Sequence, residues 1–236
     1  LKEEGYEVIP HLPARTIYDE NKLEKYIGEL ANVSGCSKIL IIGGGGNQAG
    51  NISSTMDVLK SDLLSKFNYK YVGVAGHPEG SPDISNLNLD TAIIEKNNFA
   101  KNADFQMYIA TQFFFEAKSL IDWEKHLVHL GNNLPIHAGI PGPASIKTLI
   151  NYARSCGIGN SLRFISKQAF NLTKLATLST PDKLLYELAN YIHINKSSNL
   201  ENIHFYAFGG MKKTADWLNQ LSSSDLNYNN KNQFEI

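Results

Sequence analysis

The chain has 236 residues, 42% of them hydrophobic and 19% charged, with a formal net charge of -1. These are the values of an ordinary globular protein with one large domain or two small ones, and near-zero net charge excludes the basic surplus of a general nucleic-acid binder. No apolar run approaches the roughly 18 residues of a membrane span, and Cys36 and Cys156 match no zinc or redox spacing; read as reduced structural thiols, they point to a cytoplasmic location.

Short apolar strands alternate with amphipathic helices. The first strand is expected over Glu7–Leu12, followed by a helix over Asp19–Val33 with Leu23, Tyr26, Ile27 and Leu30 at helical spacing. Next come a strand over Lys38–Ile42, a helix over Thr55–Lys66, a strand over Tyr71–Ala75 and a helix over Asp90–Asn102. A strand over Met107–Thr111, a helix over Ala117–Leu130, a strand over Pro135–Ile140 and a helix over Ser145–Cys156 continue the series. An extra helix pair is expected over Ser161–Leu175 and Pro181–Ile194, the second capped by Thr180 with proline in its first turn. A strand over His204–Phe208 and a helix over Met211–Leu221 close the pattern. Residues 1–221 read as a single domain and 222–236 as a polar tail, loose over Ser222–Asn232.

The strands are almost continuously apolar, as strands covered on both faces are. Alternation with helices implies right-handed parallel βαβ units, with ligands at the carboxyl ends of the strands. A doubly wound sheet and a closed eight-stranded barrel both fit. Six strands are counted, and Leu1–Tyr6 reads as a helix end running straight into a strand. About 40–60 further residues, forming two more βα units, are therefore expected upstream.

Unusual residues gather where the strands end. Gly43-Gly-Gly-Gly46 follows the second strand, and bare backbone amides can approach a phosphate. A Walker loop requires lysine where Asn51 stands, and a dinucleotide loop a third glycine where Gln48 stands; the run is either a ligand cradle or a flexible turn. His77-Pro-Glu79 sets an imidazole and a carboxylate beside a rigid proline, as an acid/base pair or as a strand-ending turn with solvated side chains. Gln112 follows an apolar strand, and its amide suits the polar edge of a heterocycle. Of Phe113, Phe114 and Phe115, one is expected to line the pocket and the others to pack in the core. His11 ends the first strand, and Arg15 beyond it holds a phosphate or carboxylate, or forms a surface salt bridge. His126 and His129 read as helix-surface or packing histidines, since no third ligand is near in sequence.

An ordered set of segments resembles the methylenetetrahydrofolate reductases: Pro10-His-Leu12, Val74-Ala-Gly-His-Pro-Glu-Gly80, Ala103-Asp-Phe105 leading to Thr111-Gln-Phe-Phe-Phe115, Pro135 to Gly142, and His204-Phe-Tyr206. The likeness runs from about Val8 to about Leu221. His11-Leu-Pro-Ala-Arg15, Gly139-Ile-Pro-Gly142 and Cys156-Gly-Ile-Gly-Asn-Ser-Leu-Arg163 are similar to a short, divergent branch of the family, some members of which work without a bound flavin. The resemblance implies a (β/α)8 TIM barrel whose third strand is the first one seen here. The family's general-acid glutamate, on the first strand, is then expected upstream of Leu1.

The resemblance also implies an NAD(P)H oxidoreductase that interconverts 5,10-methylenetetrahydrofolate and 5-methyltetrahydrofolate in one-carbon metabolism, feeding methionine biosynthesis. Its partner is a tetrahydrofolate derivative, with no nucleic acid and no membrane, and a homo-oligomer is compatible with it. Gln112 and Phe114 then meet the folate, while His11, Arg15, Gly43, Gly44, Gly45, His77 and Glu79 fall where the larger enzymes hold FAD. The chain departs from those enzymes at several points. Four glycines replace an Arg-Gly-Asp segment, His77 replaces a flavin-stacking tyrosine, and Asn98 stands where a phosphate-binding lysine is expected. Gly209-Gly210 replaces an arginine. FAD is accordingly expected to bind weakly or not at all. The alternative is a folate-binding barrel without reductase chemistry, acting as a partner subunit or sensor.

Overall fold

The apolar runs become strands largely where their pattern places them. In the computed structural model, which describes residues 1–158, 178–223, 227–229 and 234–235, six strands form one sheet. They are β1 (His11–Pro13), β2 (Lys38–Ile42), β3 (Tyr71–Gly76), β4 (Gln106–Thr111), β5 (Ile136–Pro141) and β8 (Leu200–Tyr206). Their order is β1-β2-β3-β4-β5-β8, all parallel and alternating with helices. The register sets His11 opposite Leu40 and Pro13 opposite Ile42, then Lys38 opposite Tyr71 and Ile41 opposite Val74. The order follows the chain without reversal, whereas a doubly wound sheet reverses at its switch point.

Two strands differ from the sequence pattern. β1 is confined to three residues, because Pro10 precedes it, Pro13 ends it and proline has no N–H for a ladder; the Pro10 carbonyl still accepts the Leu40 N–H at 2.9 Å. β8 starts at Leu200 rather than His204, since Glu201 and Asn202 are exposed and break the apolar run.

Local signals set the helix ends. α1 (Glu20–Asn32) starts at Asp19, whose carboxylate accepts the Lys22 N–H at 2.8 Å, and buries Leu23 and Ile27. The helix expected over Thr55–Lys66 is two, α2 (Thr55–Leu59) and α3 (Leu63–Lys66), because Asp62 adopts φ 58°, the left-handed conformation that short polar side chains tolerate best. A Ser54–Asp57 capping box opens α2. The helices α4 (Asn86–Ala100), α5 (Ala117–His129) and α6 (Ile146–Ser155) follow. α7 (Asp182–Ile194) has Pro181 at its cap position and no side-chain cap bond, so the expected Thr180 cap is not formed. α8 (Met211–Ser223) is the last helix described. The helix expected over Ser161–Leu175, and the Cys156–Arg163 stretch from 159 onward, lie outside the described residues.

Two small antiparallel pairs accompany the main sheet, β6 (Ala144–Ser145) with β7 (Leu178–Ser179), and β9 (Asn227–Tyr228) with β10 (Phe234–Glu235). Of the second pair only β9 falls within Ser222–Asn232, the stretch expected to be loose; β10 lies beyond it, and the Phe234 N–H donates to Asp182 Oδ2 at 3.1 Å. None of the helices described is long and apolar enough to cross a membrane.

The chain divides into two compact units. One comprises Leu1–Gly76, Thr91–Ala110 and Gly131–Ile136, and buries Leu12, Ile27, Ile39, Ile41, Val72, Val74 and Ile109. The other comprises His77–Asp90, Thr111–Leu130 and His137–Ile236, and buries Phe113, Phe114, Leu120, Leu127, Ala138 and Ile140.

Candidate functional site

In the first unit the loops after β1 and β2 are knitted together by backbone bonds. The Arg15 N–H donates to the Gly43 carbonyl at 3.0 Å, Ala49 N–H to the Arg15 carbonyl at 2.8 Å, and Asn51 N–H to the Tyr18 carbonyl at 2.9 Å. Gly44 holds φ +84°, and a Cβ there would stand 3.0 Å from Pro13 Cβ, so this turn requires glycine. Added Cβ atoms at Gly43, Gly45 and Gly46 would meet nothing within 4 Å. The run is therefore an open loop, tied at its root, whose middle a ligand can approach.

Among the described residues, Arg15 forms no ion pair. Its Nε donates to the Ser53 carbonyl at 3.3 Å and its Nη1 to the Gly44 carbonyl at 3.5 Å. The guanidinium thus clasps the glycine loop with two of its five N–H groups. His11 is solvent-accessible, and its backbone carbonyl accepts the Tyr26 hydroxyl at 3.3 Å. Enough protein surrounds the ring that desolvation lowers its pKa from the ordinary value.

A cation overlooked in the sequence stands at the end of β3. Lys96 on α4 is only 7% exposed, and its Nζ donates to the Ala75 carbonyl at 3.2 Å. Burial pulls its pKa down to about 8, against a small opposing effect of Glu95. Asn98 is exposed and accepts a hydrogen bond from Lys101 Nζ at 2.9 Å. The inward-facing lysine of this helix is two positions from the one expected. No pattern in the sequence marks it, because α4 is hardly amphipathic; only in the fold do Ile93, Lys96 and Asn97 share the buried face.

In the second unit, His77 and Glu79 do serve one space. The Gly80 N–H closes a turn on the His77 carbonyl at 3.0 Å, with Pro78 preset for its second position. Both side chains line a cleft of about 750 Å³, together with Asp90, Glu116, Trp123 and His126. His126 Nε2 is 2.9 Å from Asp90 Oδ1, and His129 turns its Nδ1 to the Lys125 carbonyl at 2.6 Å.

Gln112 is half-buried at the end of β4, and its Oε1 accepts the Phe113 N–H at 3.1 Å. That bond orients the amide. Phe114, expected to meet the folate, is 0% exposed and belongs to the core; Phe115 is the half-buried ring of the run. A cluster of rings collects beside this strand end. Phe113 meets Phe115, Tyr206 and Phe208 edge-on at centroid distances of 5.7, 5.5 and 4.8 Å, while Tyr152 stacks on Phe208 at 4.0 Å. Tyr206 and Phe208 come from the last strand and its loop, so sequence spacing alone gives no sign that they join Phe113.

Backbone approaches are close here. A Cβ on Gly209 would lie 2.0 Å from the Pro143 carbonyl oxygen, and one on Gly142 would lie 2.7 Å from Thr214 Oγ1. Gly209 is therefore a packing requirement of the loop after β8. In the first unit the strand ends present an open glycine loop beside a clasped and a buried cation, an arrangement that suits an anion; in the second, the oriented glutamine amide suits the polar edge of a heterocycle. Residues 1–221 match the family model described as Methylenetetrahydrofolate reductase, whose fold is the (β/α)8 barrel, and the chain belongs to that family.

Proposed function

We propose that this folate-related oxidoreductase of one-carbon metabolism interconverts 5,10-methylenetetrahydrofolate and 5-methyltetrahydrofolate, taking the hydride from NADH or NADPH and holding FAD weakly or not at all. The observation carrying this reading is the oriented amide of Gln112 at the end of β4, in a chain that matches the reductase family over 221 residues. The Gln112 amide pairs with the polar edge of the pterin and so sets which face of the reacting carbon is presented. Phe115 supplies half-buried aromatic surface beside it.

The residues suit a dinucleotide's phosphates. Arg15 has N–H groups beyond those used on Gly44 and Ser53, the glycine loop offers open amides, and the buried Lys96 ammonium has a single carbonyl partner among the described residues. A bound nicotinamide supplies the hydride, and a flavin, where held, relays it. The protein's part is to bind both partners, align them and keep water away. His77 and Glu79, on one cleft, are the groups placed to hold or move a proton. The loss of an acid from the Gly43–Gly46 loop favours weak flavin binding, and it also motivates the second reading, a folate-binding barrel without reductase chemistry.

The test is an assay of 5-methyltetrahydrofolate formation from 5,10-methylenetetrahydrofolate, with NADH and NADPH, with and without added FAD. Turnover with either nicotinamide supports the reductase reading. Tight folate binding without turnover under all four conditions supports the non-catalytic barrel.

A further inference from the structure

We propose that Tyr206 is the positioning residue for Gln112, pinning the end of β4 so that the amide is held where the pterin meets it; this rests on the reading of Gln112 as the pterin-binding residue. The Tyr206 hydroxyl, on β8, donates to the Thr111 carbonyl, on β4, at 3.0 Å. In the sheet order β5 stands between those two strands. The phenol reaches across because β5 has glycine at the crossing point. A Cβ on Gly139 would lie 2.4 Å from the Thr111 carbonyl oxygen, 2.9 Å from Tyr206 Cε2 and 3.1 Å from the Gln112 carbonyl carbon. Any larger residue would fill the passage.

The hydrogen bonds around Thr111 explain why the phenol is needed. The Gly139 N–H donates to the Thr111 hydroxyl at 2.8 Å. Thr111 is completely buried, so its carbonyl needs a partner within the protein. Tyr206 provides it. The phenol cannot swing away. Its ring stacks on Phe208 at 5.4 Å and meets Phe113 edge-on at 5.5 Å, while its backbone carbonyl accepts the N–H groups of Gly142 and Phe208, each at 2.8 Å. Burial pushes its pKa up to about 12, with a smaller contribution from Cys156, so it stays a donor throughout the neutral range. The Thr111 carbonyl and hydroxyl are both gripped, and the Gln112 amide, itself bonded to the next N–H, takes its direction from that fixed segment.

The test is a double-mutant cycle read by calorimetric titration with 5-methyltetrahydrofolate, on the wild type, Tyr206→Phe, Gln112→Ala and the double variant. Phenylalanine keeps the ring packing and removes only the donor. Tyr206→Phe is expected to weaken binding roughly three- to tenfold, and by less than about twofold when Gln112 is already alanine. The KM for the nicotinamide should not change. Gly139→Ala, which closes the passage without deleting any polar group, is the second variant and should give the same coupled loss. Unchanged folate affinity in both Tyr206→Phe and Gly139→Ala overturns the proposal. So does a loss by Tyr206→Phe of equal size in the two Gln112 backgrounds, because it would act without Gln112. Gln112→Ala binding as tightly as wild type refutes the pterin reading on its own arm, and the positioning role falls with it.

Discussion

The Lys96 ammonium, 7% exposed, donates to the Ala75 carbonyl at 3.2 Å, at the point where β3 turns toward His77. A buried ammonium has three donors and strongly prefers a counter-anion. Here one carbonyl is its hydrogen-bond partner among the described residues, and α4 carries the lysine at a cost in stability that an anionic ligand would offset.

Lys96 makes stability depend on pH in a definite direction. Its folded pKa of about 8 lies below the ordinary 10.5, so between those values the unfolded chain binds more protons than the folded one and stability rises with pH. Below about pH 8 the full cost is present, roughly 3 kcal/mol. Lys96→Met should therefore raise the urea midpoint at pH 7 and flatten the rise between pH 8 and 10. Denaturation curves at half-unit pH steps check this; a variant less stable than wild type at pH 7 contradicts it.

The same substitution should weaken the phosphate-bearing donor. Losing one charge-assisted contact costs roughly 1.5–3 kcal/mol, about a tenfold to hundredfold rise in Kd. Titration of Lys96→Met with NADH and NADPH measures it, and 5-methyltetrahydrofolate should bind as before. A variant more stable yet weaker for the donor separates the ligand role from a packing role.

Gln112→Ala should cost folate roughly 1–3 kcal/mol, because the pterin's polar edge loses its partner in a largely dry site. The expected affinity loss is about tenfold to hundredfold. Phe115→Leu should weaken folate by less, about 0.5–1.5 kcal/mol. Phe114→Leu should act on thermal stability instead, since Phe114 has no exposed surface.

Flavin content is directly measurable. Protein purified without added FAD should show little absorbance near 450 nm (roughly, as for oxidised flavin), and FAD titration should give a Kd of about ten micromolar or weaker. Stoichiometric flavin after purification would overturn the expectation of weak binding.

Gly209→Ala places a Cβ 2.0 Å from the Pro143 carbonyl oxygen. The loop must shift, at about 1–3 kcal/mol, lowering Tm by roughly 2–4 °C per kcal/mol in a chain of this length. Gly45→Ala, which meets nothing within 4 Å, should leave Tm within about a degree. Differential scanning calorimetry distinguishes the two.

Much of the fold was legible because period and punctuation are local. The runs Lys38–Ile42, Tyr71–Ala75 and Met107–Thr111 are apolar on both faces and bounded by polar or glycine residues, and they became β2, β3 and β4, the last two longer by one residue each. The ordered motifs around His77, Gln112 and His204 identified the family before any coordinate. Gln112 was legible as a strand-end amide, because its position follows directly from where an apolar strand stops. The break at Asp62 was not, because a left-handed aspartate within a helical pattern is chosen by the packing of α2 and α3, and no residue there forbids a continuous helix.

Tertiary structure alone decided which residues meet. Sequence offers Lys96 and Asn98 equally, and only the face of α4 that packs inward makes Lys96 the buried cation. Three consecutive phenylalanines look alike in sequence; the strand end buries Phe113 and Phe114 and leaves Phe115 half-exposed. Arg15 has the reach for a ligand or a salt bridge, and the pairing of two loops directs it to the carbonyls of Gly44 and Ser53. Tyr206 lies 95 positions from Thr111, and Gly139 lets them touch across an intervening strand. Local propensity is set by a residue and its near neighbours, so the sequence by itself determines elements and motifs. A contact between distant residues depends on packing every element at once, so the geometry of the site belongs to the folded chain.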